Sequence, residues 1–223
     1  MAFKEIMEMR KQNTDKAYEM ALSDYQEIQN DWTKRALSWC IFDAAKANAR
    51  YSQKDIFLSK IQELKDIELS DNETMLWNNI IWPISAFVRD CANTQNLQED
   101  IFSIIFELIK DFPFVRPSKE YSVLLGAFLK AKTWRNLIHF LDWWNFENLR
   151  EEDFECDIVN GKKLPTSLAE NSYLAYARAL ITLADVNSIN AFLPKLQDLA
   201  DKHPNMMYPN YYIGKLLLAT GNK

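Results

Sequence analysis

Glycine is almost missing from this chain, with four in 223 residues, and proline is sparse at seven. A protein of many tight turns needs more of both, because glycine supplies positive φ and proline presets the first turn position. Long windows run without either breaker, which favours helices over an all-β architecture. Cysteine is scarce as well. Cys40, Cys91 and Cys156 are odd in number, far apart and form no C-x-x-C. That argues against a disulfide framework or a zinc site and for a reducing compartment, the cytoplasm. Only two histidines occur, His139 and His203, and neither has a ligand partner at H-E-x-x-H spacing. Gly214 and Gly221 have no G-K-[ST] context, so no phosphate loop is expected. The opening MAFKEIMEMRKQNTDK has no apolar run and carries acids, unlike a signal peptide. Apolar runs elsewhere, such as LIHFLDWW, stop well short of about 18 residues, so no membrane span is expected. A net charge of −5 argues against a dedicated nucleic-acid binder, whose footprint is basic.

What is present is an ordinary globular mixture, 48% hydrophobic and 26% charged, patterned at helical period. Phe3–Gln12 predicts a first helix. Asn13-Thr14-Asp15 caps a second, with Ala17, Met20, Ala21, Tyr25 and Ile28 as its stripe. A third follows from Trp32 to about Arg50. A fourth, capped by Ser52, carries Ile56, Phe57, Ile61, Leu64 and Ile67 and ends at Ser70 to Asn72. The fifth spans Glu73 to Ala92. Pro83 inside it predicts a kink near Asn79 to Trp82, or two shorter helices, because an interior proline costs about 3 kcal/mol. The sixth is Leu97 to Lys110, followed by a DFPFVRP turn. The seventh opens at Ser118, with Gly126 expected to permit close helix approach. The eighth runs from Trp134 to about Phe146, the ninth from Thr166 to Ala184 and the tenth from Asn187 to Lys202, with Pro194 expected near its start. The eleventh is Tyr208 to Thr220. Residues 147–165 interrupt this pattern. They are acidic and then carry Asn160-Gly161, which predicts a long exposed, mobile loop with a small hairpin.

Paired off, these helices form five hairpins and one leftover. The first helices begin near residues 32, 73, 118, 166 and 208, at spacings of about 40 to 48. In HPNMMYPNYYIGKLLLATGNK, Pro204, Gly214 and Gly221 have the rhythm of the tetratricopeptide repeat, and the small residues of the second helix fit it too. The chain therefore resembles that family, most specifically over 166–223, plausibly over 14–50, and between them by helix pairing alone. The runs KRALSWCIFDAAK and YYIGKLLLATGNK also resemble bacterial helical-repeat proteins. In some of those, similar helices precede a nucleic-acid-binding domain of cold-shock type, which these 223 residues lack. The resemblance implies an all-α, single-domain antiparallel helix-hairpin solenoid of about eleven helices. It would act without catalysis or cofactor, as a scaffold presenting the concave face of its first helices to a peptide or folded partner. A nucleic-acid-associated regulator whose helices recruit a protein is the alternative reading. An enzyme of unrecognised class is the third.

Residues expected on that face are Arg35, Ser38, Ser122 and Arg178. Lys34, Arg35, Lys46 and Arg50 could clamp a peptide carboxylate. Seven Trp, nine Tyr and thirteen Phe are an aromatic excess. Most of it is core, but Trp143 and Trp144 are about 100° apart on a helix, so Trp143 is a candidate partner contact. Lys132, Arg135, Arg150, Lys162 and Lys163 lie near these aromatics in sequence, among acids that make a mixed-charge surface the plainer reading. Cys156 sits among acids that would blunt a thiolate. The eleventh helix is apolar all round, so one face, around Leu217 and Leu218, is expected to lack cover within the chain. Either a second copy covers it, giving a homodimer, or the 223 residues belong to a longer protein.

Overall fold

The computed structural model describes residues 3–67, 74–94, 103–105, 117–144, 149–159 and 161–221. The described helices are α1 Phe3–Gln12, α2 Thr14–Glu27, α3 Asp31–Ala47, α4 Lys54–Lys65, α5 Thr74–Asn79 and α6 Ile81–Asn93, then α7 Pro117–Ala131, α8 Trp134–Trp144, α9 Leu168–Leu183, α10 Val186–Lys202 and α11 Pro209–Ala219. Single 3-10 turns stand at Tyr51–Gln53 and Glu151–Phe154. A two-stranded antiparallel hairpin pairs β1 Ile158–Val159 with β2 Lys162–Lys163. The fold is thus all-α apart from this hairpin. Of the expected sixth helix, only 103–105 is described, and it is helical. The rest of that helix, the DFPFVR stretch and the end of the fourth helix at 70–72 lie outside the described residues. The chain divides into two compact units, Met1–Ala127 and Phe128–Lys223.

In the first unit α2 packs on α1 and α3, α1 also reaches α3, and α3 packs on α4 and α6. Ala17, Ala21, Ala36 and Ala45 are fully buried, and side chains this small let backbones approach closely. Phe57 of α4 stacks on Phe87 of α6 with centroids 4.4 Å apart. The starts of α2 and α3 follow local chemistry. The Asn13 side chain accepts from Lys16 N, and Asn30 with Thr33 forms a reciprocal capping box. Pro83 is the third residue of α6, where a missing N–H costs no helical bond. The expected long fifth helix is accordingly two, parted at Ile80.

Several details differ from expectation. Ser52 caps nothing: it lies in the 3-10 turn, and Tyr51 N–H donates to Asp90 Oδ2 of α6 at 2.8 Å. Ile28 is 62% exposed, because it is the extended residue that ends α2 and so leaves the helical stripe. Ile56 is also exposed. Gly126 is exposed, and a Cβ placed there meets nothing within 4 Å, so no close helix approach depends on it. Pro194 lies in the middle of α10 rather than near its start, on the exposed side.

In the second unit α8 packs on α9, and α9, α10 and α11 each touch the other two. The hairpin turns share one device. Lys132 follows α7 with φ 56°, Ala184 follows α9 with φ 52°, and Gly221 follows α11 with φ 78°. Each donates its N–H to the carbonyl three residues back, Leu129, Ile181 and Leu218, at 3.2 Å in all three. Beyond the first two turns the next helix also repeats. Five residues on stand Leu137 and Ile189, and eight on stand Phe140 and Phe192, all four buried. Phe140 lies 5.1 Å from Phe128 of α7, and Phe192 lies 4.7 Å from Tyr176 and 6.0 Å from Tyr173 of α9. In both hairpins, therefore, the second helix drives a phenylalanine onto the first.

Candidate interaction surface

Chemistry-bearing side chains in this molecule are mostly occupied in holding helices together. Arg10 Nε donates to Asp43 Oδ2 at 2.6 Å, joining α1 to α3, and its guanidinium lies 5.0 Å from the Trp39 ring. Tyr18 Oη donates to Glu63 Oε1 at 2.6 Å. Lys60 Nζ donates to Glu63 Oε2 at 2.6 Å and to Tyr18 Oη at 2.9 Å, tying α2 to α4. Burial, then the hydrogen bond to Glu63, raises the Tyr18 hydroxyl above its ordinary range. Burial pulls Lys60 down, but its bonds to Glu63 and Tyr18 outweigh that and leave it raised. Burial pushes the Cys40 and Cys91 thiols up to about 12, far from nucleophilic at neutral pH. Glu170 is buried and its Oε1 accepts from Tyr208 N at 3.0 Å, so it fixes the entry of α11. Sequence reasoning missed these long-range pairs. Only Glu170 had a local signal, as the third residue after the cap Ser167.

The acidic loop is partly pinned. Asp153 is buried and accepts from Arg150 N at 3.0 Å, and Phe154 stacks on His203 at 4.5 Å and 11°. Arg150 pairs with Glu152 at 2.7 Å, so this cation serves the loop itself. The expectation of exposure fits Glu151, Glu152 and the hairpin, where Ile158, Lys162 and Lys163 are exposed, but not buried Asp153 or half-buried Phe154.

The residues expected to meet a partner are dispersed. Ser38 is fully buried and its hydroxyl donates to Lys34 O at 2.8 Å, so its side chain is not at the surface; this corrects the sequence reading. Its neighbour Arg35 is half-buried with its guanidinium 5.7 Å from the Phe3 ring. Phe3 meets exposed Trp32 edge-on at 5.5 Å. Ser122 is exposed on α7. Arg178 is exposed on α9 over Trp134 at 5.3 Å, and Trp143 is half-buried with its ring 6.0 Å from Phe140. His139 is exposed, and Cys156 is half-buried.

Exposed apolar groups also gather on α11 and just before it. Met207 is 65% exposed, Tyr211 56% and Leu218 67%, with Tyr208 also open. Tyr211 and Leu218, seven apart, lie along one side of the helix, and Met207 and Tyr208 stand just before its first turn. Lys215 lies 5.4 Å from the Tyr211 ring on the same side. The opposite side is held down by Pro209 and Leu216. Leu217 is half-buried rather than open, and Leu218 is the leucine left uncovered.

No family model matches this chain, and no curated protein or solved structure is similar to it. The geometry thus stands by itself. Among the described residues, no group of His, Cys, Asp and Glu could hold a metal, and no helix is long and apolar enough to cross a membrane.

Proposed function

We propose that this protein is a non-catalytic interaction scaffold, a helix-hairpin solenoid of tetratricopeptide type that binds a protein or peptide partner. The observation that carries this reading is the repeated hairpin: a first helix ending in a left-handed residue, then a second helix that seats a phenylalanine on it. Such units bury their apolar face only by stacking on neighbours, and contacts of α1 with α3 and of α9 with α11 fit that arrangement. Solenoids present extended surfaces rather than deep pockets, and their usual work is binding. Candidate partner contacts are Arg35 and Ser122 in the first unit and, in the second, Trp143, Arg178 and the exposed side of α11. The three cysteines are free thiols, which suits the cytoplasm.

Affinity purification of the tagged protein from its own cells, with and without nuclease, tests the proposal. Retention of the same protein partner after nuclease, weakened by Arg35→Glu or Arg178→Glu, is the expected result. Retention only while nucleic acid is intact, or of no protein at all, contradicts it.

A further inference from the structure

We infer that a cationic corner at the turn between α7 and α8, made of Lys130, Lys132, Arg135 and Arg178, is a docking site for an acidic segment of the partner, a short run of aspartate and glutamate. The inference rests on the scaffold reading and names the partner's chemistry at one place on the surface.

The charge balance of this corner is the reverse of the chain's. The whole sequence has 31 acidic and 26 basic residues. From Phe128 to Trp144 and along α9, Lys and Arg occur at these four positions, while the acids are Asp142 and Glu170 alone. Both acids are engaged. Asp142 accepts from Tyr176 Oη at 3.0 Å. Glu170 is buried, accepts from Tyr208 N, and stands in the first turn of α9, about two turns from Arg178. Asp185, just beyond α9, is bonded to Ser188 N and Oγ as the cap of α10. Elsewhere cations meet acids: Arg10 pairs with Asp43, Lys60 with Glu63 and Arg150 with Glu152. Lys130, Lys132, Arg135 and Arg178 are all exposed, and none of them pairs with an acid among the described residues.

The chain's own acidic loop is held elsewhere. Glu152 and Asp153 both meet Arg150. Phe154 stacks on His203 at the end of α10, a helix of 17 residues, about 25 Å long, that starts just after Ala184. Arg178 is six residues before Ala184, so it lies toward the start of α10 rather than its end.

Two of the four cations are held in place before any partner arrives. The Arg178 guanidinium lies over the half-buried Trp134 ring, 5.3 Å from its centroid. A guanidinium so placed keeps its edge N–H groups for a carboxylate, and its prior ordering lowers the entropy lost on binding. Lys132 has φ 56°, a conformation that glycine takes freely and lysine rarely adopts. The turn therefore does not call for lysine on backbone grounds. The Arg178 contact also closes one face of Trp134 to a stacking base, which favours carboxylates over a single nucleic-acid strand as the ligand.

The probe is a fluorescein-labelled peptide of alternating aspartate and glutamate, with the matching asparagine and glutamine peptide as neutral control. Fluorescence anisotropy against the 223-residue protein at about 0.05 M salt should show saturable one-to-one binding of the acidic peptide alone, weakened about tenfold at about 0.5 M salt. Lys132→Gly should weaken binding about threefold to tenfold. It should also raise thermal stability, so unfolding cannot account for the loss. Arg178→Gln should weaken binding by a similar factor. Lys162→Gln with Lys163→Gln, on the exposed hairpin strand, should leave it unchanged. Three results overturn the inference. One is no saturation at about millimolar peptide. Another is binding that Lys132→Gly and Arg178→Gln leave unchanged, or that the hairpin variant weakens as much. The third is an oligothymidylate that binds more tightly than the peptide and is weakened by the same two substitutions, which would assign the corner to nucleic acid. A partner still captured through Arg35, and held equally by wild type, Lys132→Gly and Arg178→Gln, overturns the corner and leaves the scaffold reading intact.

Discussion

Helices α9 and α11 are built alike and finished differently. Both end in a left-handed residue whose N–H reaches back three residues, and both keep a small or leucine side chain buried five before it. On α9 Phe192 of α10 lies on Tyr173 and Tyr176, eleven and eight before the turn, while the residues at those places on α11, Asn210 and Ile213, are exposed and half-buried, and Leu218 is exposed. The contrast separates two sources of helix stability. Backbone bonding and the turn are shared, so the difference between the two helices is tertiary cover, which supplies most helical stability in water.

The largest expected effect comes from removing that cover. Phe192→Ala should destabilise the protein by about 3–5 kcal/mol, read from denaturant midpoints, whereas Leu218→Ala should change stability by less than about 0.5 kcal/mol. Equal costs would mean that Leu218 is buried in solution. A smaller effect comes from loosening the covering helix at its start. Asp185 caps α10, its side chain accepting from Ser188 N–H and hydroxyl at 3.1 and 2.7 Å, and these bonds hold its carboxyl below the ordinary 3.8. A depressed carboxyl stabilises the fold above its ordinary value and loses that contribution as the pH falls through the folded value. Asp185→Ala should therefore lower the melting temperature by about 2–5 °C at pH 7 and flatten the decline of wild type below about pH 4.

The turns give an effect of similar or smaller size. An alanine at φ 52° pays for a conformation that glycine adopts freely. Ala184→Gly should gain about 0.5 kcal/mol and Gly221→Ala should lose about 1 kcal/mol, as measured by denaturant unfolding. Opposite signs would remove the left-handed turn as the shared device. The smallest effect belongs to the first unit and serves as a control. Tyr18 and Lys60 both hold protons more tightly when folded, so their link to Glu63 stabilises fully below about pH 10 and is lost as the pH rises through the raised values. Melting temperatures of wild type should fall more steeply than those of Tyr18→Phe from about pH 10 upward.

Most of the described helices were legible because they follow local rules: apolar stripes at period 3.6, Asn13 and Asn30 as caps and Pro83 as an interruption; Gly161, with φ 75°, likewise marks the hairpin. What escaped was set by tertiary position. Ile28 matches the α2 stripe but stands one residue past the helix, where the extended backbone sends it to solvent. Ser38 looks like a polar surface residue of a first helix, yet its hydroxyl is satisfied by Lys34 O and so can be buried without loss. The likeness of the three helix ends was hidden because their left-handed positions are occupied by Lys132, Ala184 and Gly221, three residues of unlike chemistry joined by a positive φ. Gly126, expected to permit close helix approach, faces open space, and Gly221 takes the positive φ that its lack of a side chain allows. Of the candidate surface, the open side of α11 was visible as apolar residues all round one helix. Arg35 and Arg178 were found as exposed or half-exposed cations, but their places over Phe3 and Trp134 required the fold.

Amide hydrogen exchange of α9 and α11 in one sample tests most directly whether α11 is an uncovered first helix. Amides of Ala177 to Leu183 should exchange only near global unfolding, while those of Gly214 to Thr220 should exchange at least about tenfold faster. Equal protection of both helices would contradict it.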